Sequence, residues 1–584
     1  MSKLNIDQKT IKDLFSDKKS EFLIPDYQRP YAWGIKECET LWDDLFLFAF
    51  PDNDCDKFNR DNDEYFLGPI VTFKNNDGKL EIIDGQQRLT TFMLLLRAFY
   101  DKFEKMKDDK STKTRKQIEQ CIWKTDEFGD ADKSELKIDS EVATDNDKEE
   151  FLNILKTGII AEGSKSRYAK NYGFFQEKIA TFLNEYASYV PLLPLRIMQN
   201  CILLPIEAES QDTALRIFST LNNRGKPLSD ADIFKAQFYK YYSDKGEKEE
   251  FNRKWKDLEV LCNDIFPSSS GSSLDEIFTR YMYYERAKMN IKSSTTEALR
   301  SFYERNNYEL LKNNETFENL IDLAHFWKDI LTQNSDKFSN DVLKRLYVLN
   351  YAPNGMWTYF VSVYYMANRD ENGMLDDELF YRFLSQITAF IWAYAVTNPG
   401  VNALRTPVYP EMINIVNHKP VTFSEFLFDS QQVKSRFHNF DFNNPRPITK
   451  SMVTWWAFQN PEQKLIEPLE QRMEIEHIFS KKRQENEKSL TNPNNLESLG
   501  NKSLLEKNIN IRASDYRFED KKKYYTGFTN SRNQKKEGTK IKELLNLAET
   551  NTDFTETDIE KREAEIISKF IEFMDKNGLI RKNY

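Results

Sequence analysis

The stretch KLEIIDGQQRLTTFMLLLRAFY, residues 79–100, constrains the fold more than any other part of the chain. KLEIID reads as a short strand. The segment after it puts Leu89, Phe92, Met93 and Leu96 at the i, i+3, i+4, i+7 spacing of a helix with a buried face. Asp84, Gly85, Gln86, Gln87 and Arg88 join the two. A strand-to-helix turn needs a glycine and a cap, so four polar side chains in this order ask for a further reason. A glycine turn that opens a helix offers unpaired backbone N–H groups at the positive end of the helix dipole, which favours an anionic group. Arg88 adds a guanidinium able to grip phosphate oxygens in pairs. Asp84 has three readings: it orients the arginine, holds a metal, or holds a ribose hydroxyl. The plain alternative is a capped turn with a surface arginine.

Two further clusters share this region. IPDYQRPYAW (24–33) packs Tyr27, Gln28, Arg29, Tyr31 and Trp33 into seven positions. Such density suits stacking on a base or a peptide-like groove, or else an aromatic strand edge. LNNRGKPLSDADIFK (221–235) supplies Asn222, Arg224, Gly225, Asp232 and Lys235, with Ser229 and Asp232 spaced as a capping box.

The first ~110 residues mix strand-like runs (EFLIPDY, FLGPIVTF, KLEIID) with helices, an α/β pattern. Residues 101–150 are crowded with both charges and are predicted to form an exposed excursion, and CILLPIEAE (201–209) a buried strand. FPSSSGSSLD (266–275) reads as a linker, followed to about residue 430 by an almost wholly helical pattern. Within it, ITAFIWAYAV (387–396) is too short for a membrane span and is predicted to be a core helix. HNFDFNNPRPITK (438–450) marks a further boundary, so the expected division is 1–240, 241–437 and 438–584. Hydrophobic residues at 40% exclude a disordered chain. The five cysteines (38, 55, 121, 201, 262) form no CxxC pair, which argues against zinc ribbons and disulfide frameworks and suits a reducing cytoplasm. MSKLNIDQKT has no apolar run, so no secretory signal is expected.

Net charge is −10, yet residues 481–540 carry 15 Lys/Arg against 8 Asp/Glu. Local basic surface of this kind is the footprint of a phosphate-backbone partner, or a solvated lysine face. At its edge lies MEIEHIFSKK, holding one of only four histidines, His477, behind Glu474 and Glu476. A carboxylate beside a histidine can bind a divalent cation while the imidazole acts as general base on a water. SLGNKSLL with Asn501 and EKNINIRASDYRFEDKK with Asn508, Asn510 and Asp515 follow.

The three N-terminal clusters resemble, in order and spacing, the N-terminal domain of the GmrSD family of modification-dependent (type IV) restriction enzymes. That resemblance covers roughly residues 10–240 and implies a ParB/sulfiredoxin-like fold. It implies a nucleoside-triphosphate pocket, for GTP or ATP, formed by Asp84, Gly85, Gln86, Gln87 and Arg88 with Tyr27, Gln28 and Arg29 nearby. Glu-His-Ile, Leu-Gly-Asn and Leu-Leu-x(4)-Asn, with Phe518 and Lys521 following, resemble the HNH-type (ββα-metal) nuclease domain of the same enzymes. Carried over, His477 activates the attacking water, Asn501 fixes the hairpin and orients the histidine, and Glu476 and Asn510 bind Mg²⁺ or Mn²⁺. Lys481, Lys482, Arg483, Lys521 and Lys522 would contact DNA. The chain departs from the family pattern where FSKK replaces the proline that often follows Glu-His-Ile, and where Asn510 replaces the third histidine.

The resemblance thus implies an α+β multidomain endonuclease that cuts modified phage DNA under NTP control in the prokaryotic cytoplasm, with no membrane partner. The helical middle would be a spacer and dimer surface, and a single HNH site would nick DNA or need a homodimer for a double-strand break. The alternatives are an NTP-binding sensor of modified DNA with a degenerate nuclease domain, and a nonspecific toxin nuclease.

Overall fold

The computed structural model describes residues 5–582 apart from 7, 19, 52–57, 59–62, 143–144, 222–228, 267–271, 294, 399–403 and 467–471. The chain forms two compact units, 1–258 and 259–584.

In chain order the strands of the first unit are β1 (Asn5–Ile6), β2 (Lys9–Thr10), β3 (Phe22–Ile24), β4 (Tyr65–Lys74), β5 (Leu80–Asp84), β6 (Trp123–Thr125), β7 (Ala131–Leu136), β8 (Ile138–Ser140) and β9 (Cys201–Ala208). β6 and β7 pair as a separate hairpin. The others form one mixed sheet in the order β1-β9-β4-β5-β3-β8, with β2 also on β9. β4 runs parallel to β9 and antiparallel to β5, whereas β3 is parallel to both β5 and β8. The four strands expected from EFLIPDY, FLGPIVTF, KLEIID and CILLPIEAE are β3, β4, β5 and β9.

β5 feeds directly into the helix Gln86–Glu104. Fifteen of its nineteen residues are buried, not one face alone. Two further helices, Asp109–Ile122 and Arg167–Glu185, pack against it and cover the sides that a surface helix would leave in water. The expected excursion at 101–150 is therefore corrected. Thr114, Ile118, Cys121, Ile122 and Trp123 enter the core, and β8 extends the main sheet beside β3. The dense charge of that segment sits on the outer faces of elements whose inner faces carry few but large apolar groups.

The second unit is mainly helical. Trp392, in the helix Asp377–Thr397, packs 5.8 Å from both Trp455 and Phe570 and donates from Nε1 to Ser451 Oγ at 3.1 Å. Ser451 Oγ in turn donates to Val348 O at 2.9 Å. Residues of the helical middle and of the C-terminal region thus share one core. The helix Asp377–Thr397 is long and apolar enough by composition to cross a membrane, and it is the predicted core helix, with Phe390, Ile391 and Trp392 buried. On this scaffold sits an antiparallel pair, β10 (Met473–His477) and β11 (Lys502–Glu506), followed at once by the helix Lys507–Ala513.

Candidate functional site

The turn after β5 is built around Gly85, whose φ of +94° lies in the left-handed region that glycine alone enters without strain. A Cβ there would also stand 3.1 Å from Ile70 Cγ1. Arg88 passes close to Gly68, which has a φ of +110°, and donates to Pro69 O at 3.0 Å. Asp84, Arg88 and Arg29 form one electrostatic group. Burial raises the Asp84 carboxyl above its ordinary range, against the pull of Arg88, the Gly85 N–H and Arg29. Burial likewise lowers the Arg88 guanidinium, with Asp84 opposing it.

The two glutamines of the turn hold the IPDYQRPYAW loop. Gln87 Oε1 accepts from Ala32 N at 2.6 Å and Trp33 N at 3.3 Å, while its Nε2 donates to Pro30 O at 3.3 Å. Gln86 Nε2 donates to Arg29 O at 3.2 Å, and its buried Oε1 has no partner among the described residues. Gln28 returns the contact, donating to Ile82 O at 3.3 Å and Ile83 O at 3.2 Å. Turn and loop are therefore one piece, joined side chain to backbone. Gln87→Ala is expected to destabilise this unit by about 1–3 kcal/mol, because two loop N–H groups lose their acceptor. Calorimetry of the full chain reads that loss as a lowered unfolding temperature for the first unit.

The aromatic residues of the loop are packed rather than presented for stacking. Tyr27 lies 4.8 Å from Tyr239, and Tyr31 stacks on Tyr168 at 4.8 Å with its hydroxyl 2.6 Å from Thr91 Oγ1. Ser229 and Asp232 form the predicted capping box. Lys235 is buried in the helix that follows, and Asn222, Arg224 and Gly225 lie outside the described residues.

In the second unit His477 ends β10, directly opposite Lys502 on β11. Its Nε2 lies 3.3 Å from Glu497 Oε1 and in contact with the Lys502 ammonium. Lys502 is fully buried and also donates to Glu497 Oε2 at 2.6 Å and Asn444 Oδ1 at 2.8 Å. Lys481 reaches Glu497 Oε1 at 2.8 Å. Burial lowers the His477 imidazole below its ordinary value, Glu497 opposes this and Lys502 adds to it, so the ring is neutral at neutral pH. Burial takes the Lys502 ammonium down to about 8 despite Glu497. Nδ1 of His477 has no partner among the described residues, and 12% of the side chain stays open to solvent.

Asn501 is fully buried and uses its whole amide. Oδ1 accepts from Phe479 N at 2.7 Å, and Nδ2 donates to Phe479 O and Leu496 O, both at 3.0 Å. It fixes the backbone just after His477 without touching the ring. Arg562 holds the same corner by donating to Leu499 O and Gly500 O, both at 2.9 Å.

Residues 11–239 match the GmrSD restriction endonuclease N-terminal domain, and residues 429–569 match the GmrSD restriction endonuclease C-terminal domain. The chain belongs to the GmrSD family. No curated protein matches it. As a GmrSD restriction endonuclease it has DNA as its substrate, and the first match contains the Asp84–Arg88 turn while the second contains His477.

Not every residue expected at the GmrSD nuclease site is brought to it. Glu476 points to the opposite side of β10 from His477, as neighbours on a strand do. It is buried, and its Oε1 accepts from Lys521 at 2.7 Å and from Tyr525 at 2.5 Å. Asn510 donates to Glu474 Oε2 at 3.2 Å, not to Glu476. Among the described residues no three His, Cys, Asp or Glu side chains gather as a metal site. The expected Glu476–Asn510 pair therefore does not fit a divalent cation, because a lysine already neutralises the carboxylate.

The candidate DNA contacts also divide. Lys481 and Lys482 are exposed. Lys521 is buried against Glu476, Arg483 makes a bidentate pair with Asp553 at 2.7 and 2.8 Å, and Lys522 donates to Asn551 O at 2.7 Å. Those three are internal struts. Sequence reasoning missed Glu497 and Lys502. Both stand within five residues of Asn501, in NLESLGNK, but a strand lysine and a loop glutamate look like ordinary surface charges until β11 pairs with β10.

Proposed function

We propose that this GmrSD chain is a modification-dependent, NTP-regulated DNA endonuclease of the type IV restriction class, acting against phage in the prokaryotic cytoplasm. The observation that carries the nuclease half is His477: an imidazole at a strand end, partly open, whose hold on a proton is weakened by burial, with no partner for Nδ1 among the described residues and Nε2 beside a carboxylate. When its proton sits on Nε2, facing Glu497, such a ring can take a proton from water on Nδ1 as the water attacks a phosphodiester. The β10–β11 pair and the helix after it support the HNH-type reading, and exposed Lys481 and Lys482 are the cations that would meet the DNA backbone. Glu476 and Asn510 are engaged elsewhere, and the proton transfer falls to His477.

In the N-terminal half, the Gly85 turn at the start of a nineteen-residue helix, flanked by Arg88 and Arg29, supports a nucleotide-phosphate site in a ParB/sulfiredoxin-like α/β domain. Gln86, Gln87 and Gln28 would shape that site by holding its wall, and GTP and ATP would both fit the chemistry. One HNH site cuts one strand, so the product would be a nick unless two chains assemble as a homodimer.

A second reading, a sensor of modified DNA whose nuclease domain is inert, is favoured by the Lys521 contact to Glu476 and the Lys502 contact to His477. The test is plasmid and phage DNA incubated with the full chain, Mg²⁺ or Mn²⁺, and GTP or ATP. The proposal expects cleavage of modified DNA and not of unmodified DNA, with a rate that responds to the NTP. Equal cutting of both would identify a nonspecific nuclease, and no cutting would favour the sensor.

A further inference from the structure

One ring nitrogen, His477 Nε2, is approached by two groups that need opposite things from it. The Lys502 ammonium, in contact with Nε2, needs its lone pair, whereas Glu497 Oε1 at 3.3 Å needs an N–H there. With Lys502 on Nε2, the neutral ring carries its proton on Nδ1, and Nδ1 then has nothing with which to accept a proton from water. With Glu497 on Nε2, the proton sits on Nε2 and the Nδ1 lone pair is available. The cross-strand register of His477 and Lys502 keeps the lysine beside the ring. Its other two acceptors, Glu497 Oε2 at 2.6 Å and Asn444 Oδ1 at 2.8 Å, can retain the buried ammonium when it leaves Nε2. Lys481, at 2.8 Å from Glu497 Oε1, competes with the ring for that oxygen from the solvent side.

We propose that Lys502 and Glu497 are opposed positioning residues of His477: Lys502 holds the ring in the Nδ1–H form, which cannot act as the base, and Glu497 stabilises the Nε2–H form, which can. The consequence for cleavage rests on the nuclease reading, whereas the state of the ring does not.

The test is ¹⁵N NMR of the full chain labelled only at histidine. There are four histidines, and His477 is assigned by the signal lost in His477→Gln. The wild type is expected to show the neutral Nδ1–H pattern at His477. Lys502→Met is expected to convert it to Nε2–H and to raise the cleavage rate about tenfold, as when a one-in-ten state becomes the main one. Lys502→Arg, which keeps a donor, is expected to retain Nδ1–H. Wild-type His477 in the Nε2–H or doubly protonated form would overturn the proposal, as would a Lys502→Met protein whose ring does not convert. Should Lys502→Met fail to fold, the wild-type and Lys502→Arg spectra decide. A ring that converts in a protein that cuts no DNA would uphold the positioning roles and remove the nuclease reading alone.

Discussion

Gly500→Ala is expected to destabilise the second unit by about 3 kcal/mol or more, beyond the usual range for an added methyl group because the obstruction is backbone. An ideal Cβ at Gly500 would stand 2.0 Å from Ile559 O and 2.9 Å from Ile559 C, in the helix Glu556–Lys576, and 3.0 Å from Glu563 Cβ. A flexible side chain could step aside, but a helix carbonyl can do so only by moving the helix. That helix also carries Arg562, which binds the carbonyls of Leu499 and Gly500, so the movement that admits the methyl group breaks two buried hydrogen bonds. Asn501 follows directly and pins Phe479 beside His477. Thermal unfolding should show the transition of the second unit lowered by about 5 °C or more, with cleavage activity reduced even below that temperature. An unchanged transition would mean that the close approach of the helix is not maintained in solution.

The strand–turn–helix at β5 was legible because its signals are local: an apolar run, a glycine, and helical spacing in sequence. The role of its glutamines was not, since their partners are backbone groups of a loop about 55 residues earlier, and a glutamine facing phosphate looks the same in sequence as one facing a carbonyl. Residues 101–150 misled for a related reason. Their many charges lie on outer faces, while the few apolar positions that anchor the segment, such as Ile118 and Trp123, are too sparse to stand out.

In the second unit, Glu-His-Ile and Leu-Gly-Asn located the site, but strand alternation separates what the sequence places side by side. Glu476 and His477 are neighbours in the chain and face opposite ways, so Glu476 meets Lys521 and Tyr525 while His477 meets Glu497 and Lys502. The basic surplus of 481–540 was visible as a sum, yet the sum did not reveal that Lys521 and Arg483 are spent on internal carboxylates. Which lysines remain for DNA is a matter of burial, and burial is set by the fold.

Among the predicted effects on activity, that of His477→Ala is the largest. Removing a general base typically slows a reaction by about 10²–10⁴-fold, and no second histidine stands in this site: the ring of His438 lies against Glu563, 2.9 Å away. Because alanine adds no bulk at this partly open position, the fold should survive the change, and a matched unfolding temperature separates loss of chemistry from loss of structure. The most direct measurement is therefore the rate of cleavage of modified phage DNA, with NTP and divalent cation present, by wild type and His477→Ala of matched thermal stability. A restriction endonuclease working through this imidazole predicts cleavage by the wild type and a loss of at least about a hundredfold in the variant; an undiminished rate in the variant would contradict the assignment of His477 as the base.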